Sequence, residues 1–256
     1  MNKILEMFND KKYTRLALEN HKKYIKNKPF PHIYLDNFLP KKIAAALSKE
    51  YPKINDINKN WKVHKNKNVI RYFLEDSSKY KKNLQTFSML LNSRKFMLFL
   101  ETLTGIESIV ADPFFMGGGA MTTGSGGFLN VHADFNFHHK LQSWRRINAL
   151  FYLTPSWKKK WGGNLELWDK NNKKKITEIE PLFNRVVIFN TTSNSFHGQP
   201  IPIKSPKNIF RNVFSVFYYS NTKDKQTLSK PHFTRYSIDN NPYAKKISED
   251  YKKDIY

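Results

Sequence analysis

The sequence predicts a mainly β fold with flanking helices: a compact all-β barrel or sandwich supported by helical segments. Three observations predict it. Apolar residues fall at helical spacing only in the first 107 residues. From about residue 108, short apolar runs alternate with glycine clusters at 117–119, 124–127 and 162–163. Aromatic residues make up 15% of the chain, a share that suits pleated, half-buried strands and argues against disorder despite a mean hydropathy of −0.65.

In chain order, residues 1–28 are Lys-rich with weak apolar periodicity and read as a surface helix. Residues 29–39 predict a strand from their aromatic and branched side chains. After Pro40, the residues Ile43, Ala44, Leu47 and Tyr51 follow helical spacing until Pro52 stops the run. A second helix is predicted over 93–104, with Phe96, Phe99, Leu100 and Leu103 on one face and Gly105 as its stop. Strands are then expected at 128–133, 147–153, 164–168, 185–190 and 212–219. Beyond Thr222 the chain is polar and reads as a tail that wraps the surface. The expected organisation is one structural domain: a support region at 1–107, a β core at 108–222 and a polar tail at 223–256. No linker rich in Pro, Gly or Ser divides it, and no internal repeat is found.

The chain has 256 residues, enough for a well-buried core. Its net charge of +23 invites a nucleic-acid partner. The lysines, however, are spread along the whole chain, and Asn, Ile, Phe and Tyr are plentiful too, as an AT-rich coding sequence gives. An acidic small substrate or an acidic protein surface would be served equally well. The absence of cysteine excludes disulfide scaffolds, zinc ribbons and thiol catalysis. Glu6 and Asp10 interrupt the N-terminus, so no secretory signal is expected there. No apolar run is long enough to span a bilayer, and the expected location is cytoplasmic.

Chemistry concentrates at His132-Ala133-Asp134. On a strand, residues i and i+2 share a face, so imidazole and carboxylate project together. His197 follows just beyond the apolar run Val186-Val187-Ile188-Phe189. Two histidines and one carboxylate form the facial set of non-haem Fe(II) oxygenases, which leaves positions open for a 2-oxo acid and O2. A catalytic zinc would accept the same donors and give a hydrolase. A non-catalytic basic module is a third reading. Arg211 leads the run 212–219, and a cation among aromatics needs a partner, which a ligand carboxylate could supply.

The remaining candidates receive plainer readings. His138 and His139 line a cleft mouth, and His21, His32, His64 and His232 are structural or surface groups. Arg145-Arg146 is a charged lead-in to a strand rather than a substrate contact. Trp144, Trp157, Trp161 and Trp168 are core or cleft-wall residues. No Gly-Lys-Ser/Thr follows the glycines, so they do not form a phosphate loop.

From Pro29 to about Tyr219 the chain resembles the 2-oxoglutarate/Fe(II) dioxygenases of the prolyl 4-hydroxylase type. The resemblance is carried by Gly117-Gly118-Gly119, by Gly127-Phe128-Leu129-Asn130-Val131-His132-Ala133-Asp134-Phe135-Asn136 and by Arg145-Arg146-Ile147-Asn148. It continues through Tyr152-Leu153, Gly162-Gly163-Asn164-Leu165-Glu166-Leu167-Trp168, Phe183-Asn184-Arg185-Val186-Val187-Ile188-Phe189, His197-Gly198-Gln199-Pro200 and Arg211. It implies a double-stranded β-helix (jelly-roll) core flanked by helices. It implies that His132, Asp134 and His197 hold Fe(II) and that Arg211, assisted by Tyr152, binds the distal carboxylate of 2-oxoglutarate, with Asn148 and Leu165 as lesser pocket residues. It also implies hydroxylation of a peptidyl or small-molecule substrate with O2, release of succinate and CO2, and support by ascorbate. One departure stands out: Lys207, ten residues after His197, sits where many such hydroxylases carry the carboxylate-binding cation. Arg211 is preferred because it leads a strand, whereas Pro206-Lys207-Asn208 reads as a loop.

Overall fold

Helices pack on one face of a curved antiparallel sheet that nearly closes on itself. The structure, a computed structural model, describes residues 3–54, 61–228 and 230–236. The helices are α1 (Lys11–Lys26), α2 (Lys41–Glu50), α3 (Lys82–Leu91) and α4 (Arg94–Thr104). The strands are β1 (His32–Leu35), β2 (Lys62–Asn66), β3 (Val69–Leu74), β4 (Val110–Ala111), β5 (Gly119–Thr123), β6 (Phe128–Ala133) and β7 (Phe137–His138). They continue with β8 (Ser143–Tyr152), β9 (Leu165–Trp168), β10 (Lys175–Ile179), β11 (Val186–Asn190), β12 (His197–Gln199), β13 (Arg211–Ser220) and β14 (Arg235–Tyr236).

The strand order is β1-β11-β8-β13-β5-β3-β6-β12-β9-β10. β3 turns the corner. Its Tyr72, Phe73 and Leu74 pair with β5, while Val69 and Ile70 pair with β6. One sheet therefore becomes two facing layers, the double-stranded β-helix core. Strand alternation sorts the side chains. Ile147, Ala149 and Phe151 of β8 join Phe214, Val216 and Tyr218 of β13 in the cluster beneath the helices. Tyr152, Val187, Phe189 and Val213 line the barrel interior instead.

The helices form where apolar spacing predicts a buried face. α4 buries Phe96, Phe99, Leu100 and Leu103 and ends at Gly105 in the left-handed conformation, φ 71°. α1 begins at Asp10, whose carboxylate accepts the Lys12 N–H. It is more than the expected surface helix, for Tyr13, Ala17 and Tyr24 are buried. The Tyr13 hydroxyl donates to the Phe38 carbonyl at 2.9 Å, and that of Tyr24 to Asn190 Oδ1 at 2.6 Å. Weak apolar periodicity concealed an anchor made of tyrosines, which are apolar in body and polar at the tip. The strand expected over 29–39 shortens to β1, and β8 begins four residues earlier than expected. α3 and the β2–β3 hairpin were not expected at all. Of the expected tail, Arg235 and Tyr236 add a strand to β6, and residues 237–256 lie outside the described residues. No described helix is long and apolar enough to cross a membrane.

Candidate metal centre

β6 and β12 are antiparallel neighbours with His132 directly opposite His197. Gly198 permits this approach, because a Cβ there would lie 2.9 Å from Val131 Cα and from the Leu129 carbonyl oxygen. Asp134 follows β6 two residues after His132, on the same face. Asp134 Oδ1 is 3.5 Å from His132 Nε2, and Oδ2 is 3.4 Å from His197 Nε2. One donor atom from each of the three residues lies within 4.8 Å of the others, and all three are buried. Nδ1 of His132 is 2.8 Å from the Asn130 carbonyl, and Nδ1 of His197 is 2.9 Å from that of Ser195. Each ring therefore carries its proton on Nδ1 and aims a bare Nε2 at the shared point, as a metal ligand must. Two imidazoles and a carboxylate, converging on one side, fit a divalent ion of the Fe(II) type.

The electrostatics favour that occupant. Burial works to raise the Asp134 pKa, but Arg145, then His197 and His132, outweigh it and hold the carboxyl well below the usual range. Burial lowers His197 to about 4, so its ring is neutral near pH 7.

Arg145 corrects the sequence reading. It does not lead into β8 from solvent but lies buried inside the strand, 3.0 Å from Asp134 Oδ2. Its guanidinium also donates to Asn148 Oδ1 at 2.8 and 3.0 Å and lies 3.5 Å from the Phe217 ring centre. Asn148 in turn donates to Asp134 Oδ2 at 2.9 Å. A carboxylate held by an arginine and an amide is fixed in orientation before any metal binds. Arg146, next in sequence, points the other way, to Ser220 and the Thr222 carbonyl.

All seven residues singled out as site candidates border one cavity of about 220 Å³: His132, Asp134, Asn148, Tyr152, Leu165, His197 and Arg211. Arg211 donates to the Gly163 carbonyl, while its Nε is shut from solvent without a partner. No carboxylate pairs with it among the described residues. Tyr152, buried beside it, has a pKa raised by burial and opposed by Arg211. Lys207 borders a different cleft with Tyr51, Thr154 and Asn212.

The other histidines fall elsewhere. His138 is not at a cleft mouth; it is fully buried, with Nε2 3.4 Å from Asp112 Oδ1. His21 and His232 bond the Leu103 carbonyl and Ser193 Oγ, and His32 the Phe30 carbonyl. His64 borders the cavity with its ring edge-on to Phe73. Among the lining residues that the sequence did not reveal, two stand out besides Arg145. Arg71 lies on the unrecognised hairpin, and Tyr236 packs its ring 5.6 Å from that of His132. Only an inward alternation in β3 could have flagged Arg71, and nothing flagged Tyr236.

A nearly closed antiparallel barrel with a His-Asp-His set at one end defines the class: a double-stranded β-helix fold carrying the donor set of a facial-triad metal centre. Residues 118–226 match the 2OG-Fe(II) oxygenase superfamily. The fold is similar to that of a prolyl hydroxylase from Trichoplax adhaerens in complex with a hypoxia inducible factor peptide (18% identity, 82% of this chain and 91% of that one, TM-score 0.59). It is also similar to a Pseudomonas putida prolyl-4-hydroxylase (14%, 80% and 99%, TM-score 0.55). A third likeness is to the non-heme alpha ketoglutarate dependent epimerase SnoN from nogalamycin biosynthesis (10%, 80% and 82%, TM-score 0.51). No curated protein sequence matches the chain significantly. Over residues 118–226 the chain is thus similar in sequence to the 2OG-Fe(II) oxygenase superfamily, and its fold is similar to that of prolyl hydroxylases.

Proposed function

We propose that the protein is an Fe(II)- and 2-oxoglutarate-dependent dioxygenase that hydroxylates an unactivated C–H bond of a peptidyl or small-molecule substrate. One observation carries this reading. The His132, Asp134 and His197 donors share a cavity with Arg211, a cation that has no carboxylate among the described residues. Fe(II) bound there with 2-oxoglutarate and O2 supplies the oxidising chemistry, with succinate and CO2 released and ascorbate as the supporting reductant.

The chain's own residues position and shield. His132, Asp134 and His197 would hold the ion, and their donors converge from one side. Arg145 and Asn148 keep Asp134 ionised and aimed, so the part of Asn148 is to orient a ligand rather than to bind co-substrate. Arg211 would hold the distal carboxylate of 2-oxoglutarate, with Tyr152 beside it. Leu165, packed with Val213, Leu167 and Phe189, gives the carbon chain an apolar wall and keeps water out. The Trichoplax likeness supports a peptidyl substrate, and the SnoN likeness supports reading substrate choice from this cavity rather than from the fold.

The test is an anaerobic titration of metal-free protein with Fe(II) and then 2-oxoglutarate, followed in the visible spectrum. The expected result is a metal-to-ligand charge-transfer band, absent in Asp134→Ala and needing at least about tenfold more 2-oxoglutarate in Arg211→Ala. No band, with tight zinc binding instead, would overturn the reading.

A further inference from the structure

The proposed chemistry leaves one cation of the cavity unused. Arg71 lies in the middle of β3, between Tyr72 of the helix-side core and the strand's turn from β5 to β6. Alternation turns it inward with Phe73, which packs on Met121 and Phe217. Its nearest polar contact is weak: Nη1 lies 3.8 Å from Met121 Sδ. Its Nε is closed off from solvent with no hydrogen-bond partner, and no carboxylate pairs with it among the described residues. Leaving a guanidinium in this state is costly unless something arrives to pair with it.

The groups facing Arg71 do not meet that need. They are Tyr236, Asp134 and Arg145, with His64 and Arg211 further cationic or neutral neighbours. Asp134 is already engaged by Arg145 and Asn148. Burial pushes the Tyr236 phenol up, so it is neutral near pH 7. Arg71 and Arg211 feel each other's charge across the cavity, but their other neighbours differ: Arg71 faces Tyr236 and Asp134 at the metal end, whereas Arg211 faces Tyr152 and Tyr51. The charge balance points the same way. With a divalent ion, Asp134, Arg145, Arg211 and a doubly charged 2-oxoglutarate in place, the pocket is still positive, and Arg71 adds to that charge.

We propose that Arg71 anchors a substrate subsite for a carboxylate, held by its guanidinium fork beside the metal centre, while Arg211 serves the co-substrate. The fork matches a planar carboxylate through two parallel N–H donors, which a neutral amide cannot reproduce. The substrate class is therefore an anionic acid, free or as an acidic group of a peptide. This inference rests on the oxygenase reading of the cavity.

The test uses the full chain loaded with Zn(II), a spectroscopically silent stand-in, with and without saturating 2-oxoglutarate. Ligand-observed NMR compares a panel of N-acetyl amino acids with the matching N-acetyl amino acid amides. At least one acid is expected to bind about tenfold or more tighter than its amide. Arg71→Gln should abolish that preference while changing 2-oxoglutarate affinity by less than about twofold, and Arg71→Lys should restore part of it. Arg211→Gln should do the reverse, weakening 2-oxoglutarate and keeping the acid preference. Equal binding of acids and amides, no binding of any acid, or a preference that survives Arg71→Gln would overturn the subsite. So would a loss of 2-oxoglutarate affinity in Arg71→Gln, which would make Arg71 the co-substrate's cation. Failure of the wild-type chain to bind 2-oxoglutarate would count against the oxygenase reading instead, and the acid preference would still be readable without it.

Discussion

The two faces of β8 and β13 carry opposite kinds of side chain. Outward, Phe151 meets Phe87, Phe38 and Phe96 at ring separations of 5.2 to 6.0 Å, and Phe214 meets Phe87 at 5.8 Å. Inward, the same two strands present Arg145, Asn148 and Tyr152, and at the head of β13 the partner-poor Arg211. Cohesion and chemistry are thus carried on alternate residues of the same strands, save at Arg145, which a bulge opposite Tyr218 and Tyr219 turns inward. A register slip of one residue would exchange them, so the aromatic packing outside fixes which side chains reach the metal.

The sharpest way to break this comparison is Phe151→Ala. Emptying a fully packed aromatic site should cost about 3–5 kcal/mol, seen as a shift in the denaturant midpoint. A loss below about 1 kcal/mol would show that the outer face does not hold the sheet.

Of these two faces, acid should act on the inner one. His197 is lowered to about 4 in the folded chain, so as pH falls the unfolded state takes up this proton first. Stability of the metal-free protein should therefore fall by about 3 kcal/mol between about pH 6.5 and pH 4, with no further loss from this group below that. Asp134 has the opposite charge logic but the same sign: its depressed pKa gives stability that is lost as pH falls through its folded value. Denaturant midpoints measured across this range test the expectation, and a midpoint flat down to about pH 4.5 would contradict it.

The smallest effect is the most telling. Arg211→Met replaces a poorly paired cation by an apolar chain of similar length. The ligand-free protein should gain about 1 kcal/mol while 2-oxoglutarate binding weakens, as calorimetry and thermal melts would show together. A stability loss of that size would mean that the inner face also serves cohesion.

How far the sequence revealed all this follows from the range of each signal. His132 and Asp134 stood out because strand period alone puts them on one face, and His197 because it follows an apolar run. Residue spacing, however, cannot tell a buried cation from a solvated one. Arg145 looked like a strand's charged lead-in because its partner, Asp134, is eleven residues away across the barrel. The β2–β3 hairpin was missed because every residue of β2 is exposed, so no apolar alternation marks it. Arg71 was hidden with it. α3 buries Leu84, Phe87, Leu90 and Leu91, a helical spacing that a closer count would have found. Jelly-roll closure depends on pairings such as β3 with both β5 and β6, between segments far apart in the chain, which only the resemblance supplied.

β14 pairs Arg235 and Tyr236 with Ala133 and His132, where β3 no longer covers β6. Without it, the strand that carries the first donor would show unpaired N–H and C=O groups at its rim. Such a rim is a ready template for a strand of another molecule. This two-residue pairing thus guards the centre against adhesion between chains, quite apart from anything it contributes to the reaction.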